Sequence, residues 1–228
     1  MSDSHVLSEP AILYFGTPVV LIGTRNEDRT DNIAPISSAF WLGWRCVIGI
    51  AASSKTTENL IRTGECVLNL PSRDEAAAVD RIACTTGRNP VPSAKRVRGY
   101  VFEPNKFERA GLTPIAALTV DAPRVRECPV QMESVLAAQH GIGDDTPELR
   151  GTIRIFELRV VRIHVRSDIL MVDDRNRIDP DKWNPLIMSF QKFYGLSAGQ
   201  VHESRLAGIP ETAYRSPDVD RARAPQGT

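Results

Sequence analysis

Apolar residues in this chain come in short runs cut by turns. Residues 18–24 read PVVLIGT, residues 46–51 read CVIGIA, and residues 66–70 read CVLNL, stopped by Pro71. Residues 25–32, RNEDRTDN, form a polar turn between the first two runs, and residues 33–43 are mixed. β-Branched runs of this length, bounded by Gly, Pro, Asn and Asp, predict strands. Further strands are expected at 115–120, 124–127 and 131–137, and the longest at 151–165. There Val161, Ile163 and Val165 alternate with Arg162, His164 and Arg166, the period of a half-buried strand. The alternation slips at 156–158, which predicts a bulge. Many short strands predict a mainly β fold with short helices, an antiparallel barrel or sandwich.

Two helices interrupt the strands. One starts near Ser53 and runs to about Thr63, with Gly64 as its stop. The other starts at Ser72, where S-R-D-E is a capping box, and runs to about Cys84. Residues 85–106 hold Gly87, Pro90, Pro92, Gly99 and Pro104. A loop-rich excursion of this length suits a functional lid or a flexible segment. Residues 180–196 are rich in aromatics. The tail after Pro210 is polar and is expected to be disordered, which divides the chain into one domain over 1–210 and a tail over 211–228. The sequence has no internal repeats.

Charge narrows the function. Lys plus Arg is 28 and Asp plus Glu is 28, which argues against a dedicated nucleic-acid binder. No apolar run approaches the ~20 residues that span a bilayer. The first ten residues lack the basic start and apolar core of a signal peptide. Cys46, Cys66, Cys84 and Cys128 are widely spaced and read as free thiols of a cytoplasmic protein.

Residues 53–60, SSKTTENL, carry more polar groups than capping requires. A helix N-terminus offers unpaired N–H groups and the positive end of a dipole, so it can hold an anion. Ser53 or Ser54 would cap, Thr56 and Thr57 would lie in the first turn, and Lys55 adds charge. Asn59 reaches the same spot only if the helix starts late. A capped surface helix would also use Ser and Thr. Residues 30–40, TDNIAPISSAF, place small residues and a proline after a polar turn, either a plain turn into a strand or a backbone surface for a flat ligand.

The order PVVLIGT, TDNIAPISSAF, CVIGIA, SSKTTENL, GECVLNLP resembles the flavin reductase-like family over residues 14–71, and ECPVQME at 127–133 and the strand near His164 extend the resemblance. It implies an FMN-binding split β-barrel of antiparallel Greek-key type. It assigns Asn32, Ala34, Pro35, Ser37 and Ser38 to the isoalloxazine and ribityl chain, and Ser53, Lys55, Thr56 and Asn59 to the phosphate. It also implies a homodimer, NADH or NADPH as electron donor, and a monooxygenase as consumer of reduced flavin. A non-catalytic FMN electron carrier is the alternative, and a barrel that binds haem is a weaker one. No G-x-G-x-x-G is present, so a nicotinamide would bind transiently. His164 is expected near the flavin or a subunit interface, or satisfied within its strand. One of Trp183, Phe190, Phe193 and Tyr194 would stack on the ring or cover it from a partner subunit, Trp41 would shield it, and core packing is the alternative for all five. Lys95, Arg96 and Arg98 would meet a dinucleotide phosphate or stay solvated.

Overall fold

Residues 19–22, VVLI, are apolar without alternation because the strand they form is covered on both faces. Val20 and Ile22 enter one buried cluster, and Val19 and Leu21 enter another. The computed structural model describes residues 4–196, 199–202 and 204–223. Its first half holds β1 (Phe15–Pro18), β2 (Val20–Arg25), β3 (Asp31–Ile36), β4 (Ala39–Leu42), β5 (Arg45–Ala51), α1 (Lys55–Thr63), β6 (Glu65–Leu70) and α2 (Ala76–Ala83). The excursion carries β7 (Thr85–Thr86), α3 (Ser93–Arg96) and β8 (Val101–Phe102), then α4 (Lys106–Ala110). β9 (Pro114–Ile115) pairs with β10 (Arg124–Val125). β11 (Val130–Ile142) and β12 (Ile153–Val165) form a long hairpin, followed by β13 (Ile187–Ser189), β14 (Lys192–Tyr194) and α5 (Pro217–Arg223).

Seven strands form one antiparallel sheet in the order β3-β2-β6-β11-β12-β5-β4. Its two edges, β3 and β4, are joined by Ser37 and Ser38 alone. Three peptide steps reach about 11 Å at full stretch. The sheet therefore has to curl until its edges nearly meet. Ile36 from one edge and Ala39 from the other pack on the same cluster, inside the curl. Gly49 N donates to Ser38 O at 2.9 Å and ties the crossing to β5. The barrel is thus open along one seam, and segment 37–38 bridges it.

Along β12, Phe156, Leu158 and Val160 are buried, and Ile163 and Val165 pack on the same cluster. The parity changes because Val161 is an extra residue: Glu133 faces Arg162 and Ser134 faces Val160. One bulge therefore lies after the slip expected at 156–158, while a second, with Ala137 of β11 as its extra residue, falls opposite Glu157 and Leu158, within the expected span. The strand expected at 115–120 is reduced to the Pro114–Ile115 pair. The Leu118 and Thr119 N–H groups donate to the Glu133 carboxylate and are lost to any ladder.

Both expected helices form. Gly64 ends α1 at φ 70°, its N–H donating to Leu60 O. The Ser72 N–H donates to the Glu75 carboxylate at 2.7 Å. The tail departs from expectation. Residues 217–223 are helical, and Asp218, nearly buried, accepts from Arg45 Nε at 2.7 Å. That bond holds the Asp218 carboxyl below its ordinary range. Residues 224–228 of the expected tail lie outside the described residues. Among the described residues no helix is long and apolar enough to cross a membrane.

Candidate functional site

The first turn of α1 separates the polar groups of SSKTTENL by task. Ser54 is the N-cap, in extended conformation, and its hydroxyl accepts from Thr57 N at 3.0 Å. Thr57 donates its hydroxyl to Ala51 O at 2.8 Å, so it serves the cap. Ser53 is exposed and lines neither cleft. Asn59 sits one turn too far along to point back. Its amide donates to Thr24 Oγ1 at 3.1 Å and to Asn26 Oδ1 at 2.8 Å, tying α1 to β2 from a fully buried position. Lys55 and Thr56 remain, and both open onto a cleft of about 310 Å³.

Three parts of the chain build that cleft. Ala34, Pro35, Ser37 and Ser38 supply one wall, at the seam of the barrel. Residues 49–51 of β5 and the α1 turn supply the second, and Thr85, Thr86 and Gly87 of the excursion supply the third. Lys95, Arg98, Tyr100 and Lys106 complete it. A chain of zero net charge thus places four cations, Lys55, Lys95, Arg98 and Lys106, around one cleft whose lining holds no Asp or Glu. Cations focused in a cleft with low-dielectric walls attract anions.

A second cleft, of about 520 Å³, shares Lys55 and Gly87 with the first. Asn32 lines this one, and its amide links the two. Asn32 Nδ2 donates to Thr24 Oγ1 at 3.0 Å and to Thr56 Oγ1 at 3.4 Å, while Oδ1 accepts from Lys106 Nζ at 3.3 Å. Gly87 leaves little room, since a Cβ there would lie 3.0 Å from Asn32 Oδ1 and 3.1 Å from Lys55 Cγ and would push those side chains by a few tenths of an ångström. Lys55 Nζ donates to Glu58 Oε1 at 2.5 Å, and Arg88 pairs with the other oxygen of Glu58.

The structure thus brings Ala34, Pro35, Ser37, Ser38, Lys55 and Thr56 to one cleft, puts Asn32 beside it, and turns Ser53 and Asn59 elsewhere. Lys106, Thr85, Thr86, Gly87 and Tyr100 are additions that sequence reasoning missed. Only the length of the excursion that carries all five signalled a role. Of its basic residues, Lys95 and Arg98 face the cleft and flank the Tyr100 ring at 5.4 and 5.9 Å. Burial, aided by Arg98, lowers the Lys95 ammonium from its ordinary value. Arg96 is exposed and lines neither cleft.

His164 lies outside both clefts and is satisfied within the sheet, donating from Nε2 to Glu133 Oε1 at 2.6 Å. The five aromatics likewise line neither cleft of this chain. Trp41 and Trp183 pack on the inner cluster, and Phe193 packs on the outer one. Phe190 meets Phe15 edge-on at 5.0 Å, and Tyr194 is exposed.

Residues 12–197 match the flavin reductase like domain. This chain belongs to the flavin reductase-like family. It is 37% identical over 188 residues to the protein YdfE of Bacillus subtilis (strain 168), covering 82% of this chain and 87% of that one. Its fold matches the flavoredoxin of Desulfovibrio vulgaris (Miyazaki F) with a TM-score of 0.70 at 22% identity, over 90% of this chain and 99% of the other. It matches nitrilotriacetate monooxygenase component B from Bacillus cereus with a TM-score of 0.64 at 22% identity, over 83% and 88%. It also matches a Shewanella frigidimarina protein with a split barrel domain, with a TM-score of 0.64 at 17% identity. Flavin binding goes with the family.

Proposed function

We propose that this flavin reductase-like protein binds FMN and passes hydride to it from NADH or NADPH. One observation supports this most: the seam segment 34–38 and the first turn of α1 line the same cation-rich cleft. That arrangement suits a flat, uncharged ring joined to a phosphate. Bound FMN would supply the hydride-accepting ring, which no side chain here can replace. Lys55, Thr56 and the free N–H groups of the α1 turn hold the phosphate. The small side chains at 34–38 let the backbone approach the ring. Lys95 and Arg98 stand at the rim, where the phosphates of a transient pyridine nucleotide would pass.

A non-catalytic electron carrier is the second reading, favoured by the structural likeness to a flavoredoxin. The two separate in one experiment, anaerobic mixing of FMN-loaded protein with NADH and then NADPH. Fast bleaching supports the reductase, and a flavin that stays oxidised supports the carrier. The likeness to a monooxygenase component supports delivery of reduced flavin to a monooxygenase. Four free thiols suit a cytoplasmic location. A homodimer belongs to the same reading. Phe15 on β1 and Phe40 and Leu42 on the nearby β4 leave 74%, 52% and 72% of their surfaces exposed, apolar area that a second copy would cover. Light scattering at micromolar concentration is expected to give twice the chain mass, and a monomer would count against this part.

A further inference from the structure

Lys106 has no task in the reading above. It begins α4, a helix of one turn, and is only 3% exposed, yet it lines the cation-rich cleft. Among the described residues its one hydrogen bond is to Asn32 Oδ1, and no carboxylate pairs with it. A buried ammonium with a single neutral acceptor is costly and incompletely satisfied. The other end of the same Asn32 amide donates to Thr56 Oγ1, in the α1 turn. Lys106 therefore stands one amide group behind the proposed phosphate position.

We propose that Lys106 is a phosphate-binding group of this cleft, and that a dianionic phosphate ester enters with uptake of a proton at Lys106. That the ester is FMN rests on the function proposed above; the anion chemistry does not. The charged surroundings of Lys106 support proton uptake. Burial, with Lys95 across the cleft, pushes its ammonium down to about 8, and Glu103 opposes the shift. Glu103 is itself paired with Arg109 at 3.4 Å. From β3 the neutral Asn32 bonds it, and the carboxylate of Asp31 is paired with Arg25. From α2, Arg81 is bonded to Ala110 O at the far end of α4. Lys55 is held by Glu58. An arriving dianion would add to Glu103 in favouring the charged form, so binding has to raise the affinity of Lys106 for its proton.

The experiment is calorimetric titration of the full chain at pH 8 with FMN, riboflavin and inorganic phosphate, each in two buffers of different ionisation enthalpy. A phosphate ester is already fully ionised there, its second pKa being about 6. FMN is expected to bind with uptake of up to about half a proton per site, and riboflavin with none. Lys106→Arg keeps FMN affinity and abolishes the uptake. Lys106→Met weakens FMN and inorganic phosphate roughly 10- to 100-fold and leaves riboflavin unchanged. Wild-type FMN binding without proton uptake overturns the proposal, and so does an equal loss of FMN and riboflavin in Lys106→Met, which would put Lys106 at the ring. If no flavin binds, the functional reading falls and inorganic phosphate decides Lys106 alone: binding with proton uptake supports it, and binding without uptake, or no binding, overturns it.

Discussion

Lys55→Ala combined with Thr56→Ala weakens FMN binding by about 2–4 kcal/mol, roughly 30- to 1000-fold, through lost charge-assisted hydrogen bonds. The change is interpretable because little of the fold depends on either side chain. The Lys55–Glu58 pair is partly exposed and contributes little to stability. Removing the Thr56 hydroxyl leaves the Asn32 amide its bond to Thr24 at 3.0 Å. The cap at Ser54 and the Gly64 stop are untouched. Riboflavin, which lacks the phosphate, is expected to bind both proteins equally. Fluorescence titration of the two ligands checks the pair of statements. A folded double variant with unchanged FMN affinity would reduce SSKTTENL to a capped helix.

Glu133→Ala costs about 3–5 kcal/mol of stability and loosens residues 118–119. The Glu133 side chain is fully buried in β11. It accepts from Leu118 N at 2.9 Å, from Thr119 N at 2.6 Å, from the Thr119 hydroxyl, and from His164 Nε2. Burial alone would raise this carboxyl, but the Thr119 hydroxyl, the Leu118 N–H and His164 outweigh it and hold it below its ordinary value. Its contribution is therefore fully present above the unfolded value near 4.5 and fades as pH falls through the lower folded value. Glu133→Gln keeps the shape and removes the titration. Urea unfolding should show the gap between wild type and Glu133→Gln narrowing below pH ~4.5. A gap independent of pH would contradict the assignment of Glu133 as an ionised acceptor.

What the sequence made legible follows from local rules. Ser54, Gly64 and the Ser72–Glu75 box act within one turn of chain, so α1 and α2 could be placed before any contact was known. The β2, β5 and β6 runs were visible because both the apolar run and its punctuation are local. The seam was not, since it depends on which strands become the sheet edges. Lys106 was hidden for a similar reason: a lysine before Phe107 reads as surface, and only the packing of α4 against β3 buries it. Asn59 was misplaced by a helix start that is one residue after Ser54 rather than later. The 115–120 run was β-like in composition, but the Glu133 side chain, not a neighbouring strand, takes its N–H groups. The tail looked too polar to order, yet Arg45 draws Asp218 onto the barrel.

The most direct test of the flavin reductase reading is the visible spectrum of the purified protein with FMN, kept anaerobic, before and after NADH and then NADPH. The account expects a bound flavin whose absorbance bleaches rapidly with at least one of the two nucleotides. A bound flavin that neither nucleotide bleaches, or a cleft that takes up no flavin, would contradict it.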